Sequence, residues 1–201
     1  MPPVAATLTT AASTTCSCGP RSTDASQSDL TLQRRSSRYS RDMAHIHEKI
    51  DFTVAIFVVQ DAKVLVIHHR KLGKWLPLGG HIELDEDPEM AALREAREES
   101  GLEVELIGER PPTTEPGTRA LIAPRFLDIH RINETHEHIG MIYWATPKGG
   151  KLALAPEEHH AIRWCSLSEL ETLEPPMSGA VMWYCRQAIA EISGAADSSR
   201  A

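Results

Sequence analysis

The chain of 201 residues carries 21 Lys and Arg against 28 Asp and Glu, a formal net charge of -7, with 41% hydrophobic residues. These figures suit one globular domain of ordinary size and exclude a general nucleic-acid coat, whose hold on phosphate backbones comes from clustered Lys and Arg. The most apolar run, Val54 to Val59, is strand-sized and far short of the ~20 residues that cross a bilayer, so no membrane span is expected.

Residues 1–42 are rich in Ser and Thr, nearly lack large aliphatic residues and show no periodicity, so a disordered extension is expected there. Its Arg- and Ser-rich, acid-poor composition is shared with organelle-targeting leaders, yet no amphipathic helix is evident, and Met43 stands directly before the first patterned segment. A targeting leader, a translation start at Met43 and a plain tail all remain open. The folded domain is expected over 43–193, with a flexible tail at 194–201. Cys16, Cys18, Cys165 and Cys185 are too few and too scattered for a disulfide scaffold, which fits a reducing, cytoplasmic setting.

In chain order, Phe52 to Val59 and Val64 to His69 read as strands joined by a hairpin at Gln60-Asp61-Ala62. A helix is predicted over Pro88 to Ser100, with Asp87 as N-cap, Pro88 in the first turn and Gly101 beyond the end. Strands are expected near Glu103 to Ile107, Arg119 to Arg131, Ile139 to Thr146 and Ala161 to Cys165. A short helix at Leu167 to Leu173 and a longer one from Ser178 to Ile192, with Val181, Cys185, Ala188 and Ile192 on one face, close the domain. Strands and helices mixed in this way predict an α/β sandwich with a partly antiparallel sheet.

The helix after Asp87 carries the chemistry. Glu95, Glu98 and Glu99 fall within an arc of about 100°, beside a stripe of Ala92, Leu93 and Ala96 that the helix can bury. Like charges three and four residues apart repel, and anions near a helix C-terminus oppose its dipole, so stability alone does not favour the arrangement. A hard divalent cation reverses the sign of that interaction. Without a cation the same pattern reads as a solvated acidic face partly neutralised by Arg94 and Arg97.

The spacing of Gly80, Glu86, Arg94-Glu95-Ala96, Glu98-Glu99, Gly101 and Leu102 resembles the Nudix box, GX5EX7REUXEEXGU, with Ala96 in place of a bulkier aliphatic residue. The resemblance implies a Nudix-type α/β/α sandwich with a mixed, partly antiparallel sheet. It also implies metal-dependent hydrolysis of a nucleoside diphosphate linked to another moiety, with water attacking phosphorus. By matching position the metal ligands would be Glu95, Glu98, Glu99 and the carbonyl of Gly79, with Mg²⁺ or Mn²⁺ as the ion. Arg94 would orient a glutamate, and Glu86 would support the loop or an outer water. Glu158, six residues before Trp164, matches a loop acid that serves as ligand or base in MutT-type relatives; whether Glu95 or Glu158 is the base stays open.

Around the box, Arg70 and Lys74 form a basic patch suited to phosphate or simply to water, and Trp75 either stacks on a base or packs under the sheet. Asp128, His130, His136 and His138 fall on shared strand faces joined by Asn133-Glu134-Thr135, which reads as a polar pocket wall, a transition-metal site or ordinary surface. The partner expected is a small nucleoside diphosphate derivative and no nucleic-acid polymer. A catalytically inactive nucleotide sensor of the same fold is the competing reading, against which the intact Arg94, Glu95, Glu98 and Glu99 count.

Overall fold

Alternating apolar residues from Ile50 onward build β1 (Ile50–Gln60), which turns back into β2 (Lys63–His69) in a computed structural model that describes residues 46–112 and 115–198. The register Gln60↔Lys63 leaves Asp61 and Ala62 as a two-residue loop, both at positive φ (50° and 56°), whose twist matches that of the flanking antiparallel strands. Two short strands follow on either side of Pro77, β3 (Lys74–Leu76) and β4 (Leu78–His81). The remaining elements are α1 (Pro88–Ser100), β5 (Leu102–Leu106), β6 (Phe126–Arg131), β7 (Glu137–Gly150), β8 (His159–Cys165), α2 (Leu167–Leu170) and α3 (Gly179–Ser198).

β1 is the spine of the sheet. Along one edge it pairs in parallel with β7, from Ile50↔Glu137 to Val58↔Ala145, and β7 carries β5 and β6 antiparallel. Along the other edge β1 holds β4 at residues 53–56 and β2 only at the hairpin end; β2 in turn carries β3 and β8. The sheet is therefore mixed and largely antiparallel, as expected. Successive β1 side chains point to opposite faces. Val54, Ile56 and Val58 pack with Ala91, Ala92 and Ala96 of α1, whereas Phe57 and Val59 pack with Cys185, Ala188 and Ile189 of α3. One helix on each face makes an α/β/α sandwich.

The α1 boundaries fall where the caps place them. Asp87 Oδ1 accepts from the amides of Glu89 (2.9 Å) and Met90 (3.1 Å), and Gly101 closes the helix at φ 69°. Its buried stripe differs from the expected one: Ala91, Ala92 and Ala96 are inside, while Leu93 is 43% exposed. Small side chains let the helix axis approach the sheet closely, and a leucine would hold it off.

Other differences have local causes. β3 and β4 escape the pattern because each is a few residues long and Pro77, Gly79 and Gly80 interrupt the alternation. The strand expected from Arg119 begins only at Phe126, because Arg119 pairs with Asp87 and the amide of Ile122 donates to Glu89 Oε1. Glu89 is buried and also takes both Nη atoms of Arg110 at 2.7 Å, so Arg110, Arg119 and Ile122 are tied to α1 instead of to a strand. α2 ends three residues before Leu173, and α3 continues to Ser198, into the stretch expected as a tail. Cys165 and Cys185 are buried free thiols, and no described helix is long and apolar enough to cross a membrane. Cys16, Cys18 and the expected extension lie outside the described residues.

Candidate active site

β4 is so closely packed between β1 and α1 that two glycines are required in it. Gly79 has φ +149°, and a Cβ there would collide with the Val54 carbonyl; a Cβ on Gly80 would strike the Glu95 carboxylate. The Gly79 amide donates to Glu99 Oε2 at 2.8 Å, which fixes the turn to the helix.

Arg94 is the hub of the acids. Its Nε and Nη2 donate to the two oxygens of Glu86 (2.6 and 2.8 Å), Nη1 to Glu95 (2.8 Å) and Glu98 (3.2 Å), and Nη2 also to the His81 carbonyl (3.0 Å). These contacts hold the guanidinium charged and fix the glutamates relative to one another. Glu86 supports the loop, since it also accepts from the Glu83 amide at 3.2 Å. Lysine cannot reproduce this planar fork, so Arg94→Lys is expected to lower the melting temperature and turnover together, by about 1–3 kcal/mol of stability. Thermal denaturation of the variant beside the parent checks this.

The three glutamates that share an arc are graded in depth. The Glu98 side chain is 64% exposed, Glu95 14% and Glu99 4%. Burial and then the neighbouring Glu99 push the Glu95 carboxyl up to about 7, against the pull of Arg94. Burial likewise raises Glu99, although the His159 ring and the Gly79 amide stabilise its anion.

The Glu95 shift has a sign that can be measured. An unfolded glutamate titrates near 4.5, so between that pH and about 7 the folded protein keeps a proton that the unfolded chain releases. Stability should therefore fall as pH rises through this window, by on the order of 3 kcal/mol from this group. Melting in the presence of a chelator from pH 5 to 8 should show this fall, and Glu95→Gln should flatten it.

A second element reaches the same place. Ligand atoms of Glu99, Glu158 and His159 lie within 4.8 Å of one another, and His159 Nε2 is 2.9 Å from Glu99 Oε1. Glu158 is exposed while His159 is wholly buried at the start of β8. Sequence reasoning missed His159; the signal was the His-His pair directly after Glu158, which alternation sends to opposite faces. The loop bearing Glu158 is fastened by Arg70, whose amide donates to the Glu158 carbonyl (2.8 Å) and whose Nη2 donates to the Pro156 carbonyl (2.9 Å).

Of the expected substrate contacts, Arg70 and Lys74 stand exposed at this end of β2 and β3. Trp75 does not present an open ring. It is 6% exposed, stacks on His68 at 5.0 Å and donates Nε1 to the Glu174 carbonyl at 3.0 Å. Its core is that of α3, on the sheet face opposite α1, because strand alternation separates it from Lys74.

The histidine-rich hairpin divides. Asp128 accepts from Tyr184 Oη at 2.9 Å and contacts His130 Nδ1 at 3.1 Å. His136 and His138 instead converge with His81 on Asp51, a buried carboxylate at the start of β1 that expectation had left aside. Burial, and then the neighbouring His81, His130 and His136, lower His138 to about 4.

Comparison with known proteins agrees with the geometry. The NUDIX domain model matches residues 49–184. A MutT-like protein of Streptomyces ambofaciens is 32% identical over 94 residues, 46% of this chain and 60% of that protein. A CTP pyrophosphohydrolase of Escherichia coli K12 is 28% identical over 113 residues, 52% of this chain and 83% of that one. Among solved structures, a NUDIX-family hydrolase from Clostridium perfringens superposes with TM-score 0.62 at 32% identity, covering 71% of this chain and 97% of the other. The chain belongs to the NUDIX hydrolase family.

Proposed function

We propose that the protein is a metal-dependent pyrophosphohydrolase that cleaves a nucleoside diphosphate linked to a further group. The observation that carries this reading is the meeting of two elements: α1 brings Glu95 and Glu98 onto Arg94 with Glu99 beside them on the same helix, and the loop before β8 brings Glu158 and His159 against Glu99. The donor set suits Mg²⁺ or Mn²⁺: carboxylates predominate, and the Glu99 charge lies close enough to Glu95 to raise its proton affinity. Glu95, Glu98 and Glu99, with the Gly79 carbonyl, would hold the ion, which when bound neutralises diphosphate charge and makes water more acidic.

The remaining work falls to the chain itself. Arg94 keeps Glu95 and Glu98 in register and stops them from splaying apart under their own repulsion, while the Gly79 amide and His159 hold Glu99. Glu158, exposed at the rim and held by the backbone of its loop, takes the proton of the attacking water; Glu95, with its carboxyl near 7, is the second candidate for that role. Arg70 and Lys74 supply positive charge to a polyphosphate arriving at this end of the sheet. A cytoplasmic setting is supported by the free thiols Cys165 and Cys185.

The test is turnover of a panel of nucleoside triphosphates, nucleotide sugars, ADP-ribose and dinucleoside polyphosphates with Mg²⁺ or Mn²⁺ in ¹⁸O water, with products identified by mass. Cleavage that carries the label into one phosphate and ceases with chelator is expected. Tight binding of a nucleotide with no cleavage of any member would favour the sensor reading instead.

A further inference from the structure

The sheet face turned away from the box glutamates holds a separate constellation. Asp51 precedes Ala55 and Phe57 on the α3 face by the strand period, and the registers Asp51↔His138 and Thr53↔His81 put both imidazoles on that same face. Three strands, β1, β4 and β7, therefore contribute one donor each. The ligand atoms of Asp51, His81 and His138 lie within 4.8 Å of one another. His81 Nε2 stands 3.4 Å from Asp51 Oδ2, and the His81 and His138 rings meet edge to face with centroids 4.8 Å apart.

These spacings are those of donors around one cation. Two ligands bound tetrahedrally at about 2.0–2.1 Å are separated by about 3.3 Å, close to the Asp51–His81 distance. The carboxylate is also fixed in advance: the amide of His47 donates to Oδ1 at 2.6 Å and that of Ile46 to Oδ2 at 3.2 Å. A further imidazole stands against the same carboxylate. His136 Nε2 lies 3.2 Å from Asp51 Oδ2, while its Nδ1 lies 3.3 Å from the Glu48 carbonyl, which can only accept. These two contacts pin the His136 ring between the Glu48 carbonyl and Asp51, which adds to the fixing of the carboxylate.

We infer that Asp51, His81 and His138 form a second metal site, for a divalent transition ion of the zinc class. Two imidazoles and one carboxylate select such an ion over Mg²⁺ or Ca²⁺, which take oxygen ligands. Asp51 and His138 are buried, and His81, with its side chain 21% exposed, leaves an approach from solvent. The site ties the starts of β1 and β7 to the end of β4. It also adjoins the box, because the His81 carbonyl accepts from Arg94, so an ion here would stiffen the strand end on which the glutamate clamp rests. The inference stands apart from the pyrophosphohydrolase reading and is tested without turnover.

The test uses the untagged full-length chain, stripped with chelator and titrated with Co²⁺ and Zn²⁺. One equivalent of Co²⁺ should give visible ligand-field bands that survive in a Glu98→Gln, Glu99→Gln double variant. His138→Gln should weaken Zn²⁺ binding by at least about 100-fold. X-ray absorption on the parent loaded with one equivalent of Zn²⁺ should count two or more imidazoles, a measurement that needs no variant to fold. Loss of the bands in the box variant, a single imidazole, unchanged affinity in a folded His138→Gln protein, or no stoichiometric uptake would each overturn the assignment.

Discussion

Glu99→Gln should lower turnover by about 10²–10⁴-fold at saturating Mg²⁺ while the protein stays folded. In the parent both oxygens of Glu99 are engaged, Oε2 by the Gly79 amide at 2.8 Å and Oε1 by His159 at 2.9 Å, and the side chain is buried. A glutamine keeps one accepting oxygen for the Gly79 amide and turns an NH₂ toward His159, so the charge is lost and the His159 contact must be rebuilt with the imidazole as acceptor. Stability moves in two directions. Removing a buried anion with a raised proton affinity is favourable, and the loss of the carboxylate's contact with His159 opposes it. The net shift in melting temperature should be a few degrees in either direction. Glu98→Gln should match the kinetic loss with almost no thermal effect, since that side chain is mostly in water. Near-parental turnover in both variants, measured on the best substrate, would remove the box from the chemistry.

The second large effect is expected at Glu158. If it accepts the proton of the attacking water, Glu158→Gln should reduce kcat by roughly 10²–10⁴-fold with little change in KM, and the limb of the pH–rate profile that reports the base should move. Its neighbour provides the control. Glu157 and Glu158 share the same loop, held by the Arg70 contacts to the carbonyls of Pro156 and Glu158, and it is Glu158 that gathers with Glu99 and His159 within 4.8 Å. Glu157→Gln should therefore matter far less. Equal and small effects at both positions would assign the base to Glu95.

The helix that bears the glutamates was legible to the residue because its ends are chemical signals: an aspartate that accepts two amides, a proline in the first turn and a glycine in the left-handed region. The hairpin at Asp61 and the stripe of α3 were legible for the same reason, that local pattern and global packing agree there. What stayed hidden depends on pairing across long sequence distances. Nothing local says that Trp75 joins the α3 core, that His159 reaches Glu99, or that Asp51 gathers His81 and His138. The glutamate spacing announced acids on one face but not their order of depth, which follows from how closely three alanines let α1 sit on the sheet.

The parallel pairing of β1 with β7 has a consequence for how the chain comes into being. Residues 50–58 pair along one edge with 137–145, β4 pairs along the other edge, and the box helix lies on one face of that same strand. During synthesis the spine, β4 and the box helix all emerge with one long edge of β1 still bare, an apolar strand edge of the kind that recruits other chains. Closing so distant a contact is slow compared with forming a helix or hairpin, so the rate of acquiring the native state should be set by the arrival of β7. Substitutions in the β1–β7 ladder should then slow refolding and raise aggregation during synthesis, even where the finished protein tolerates them.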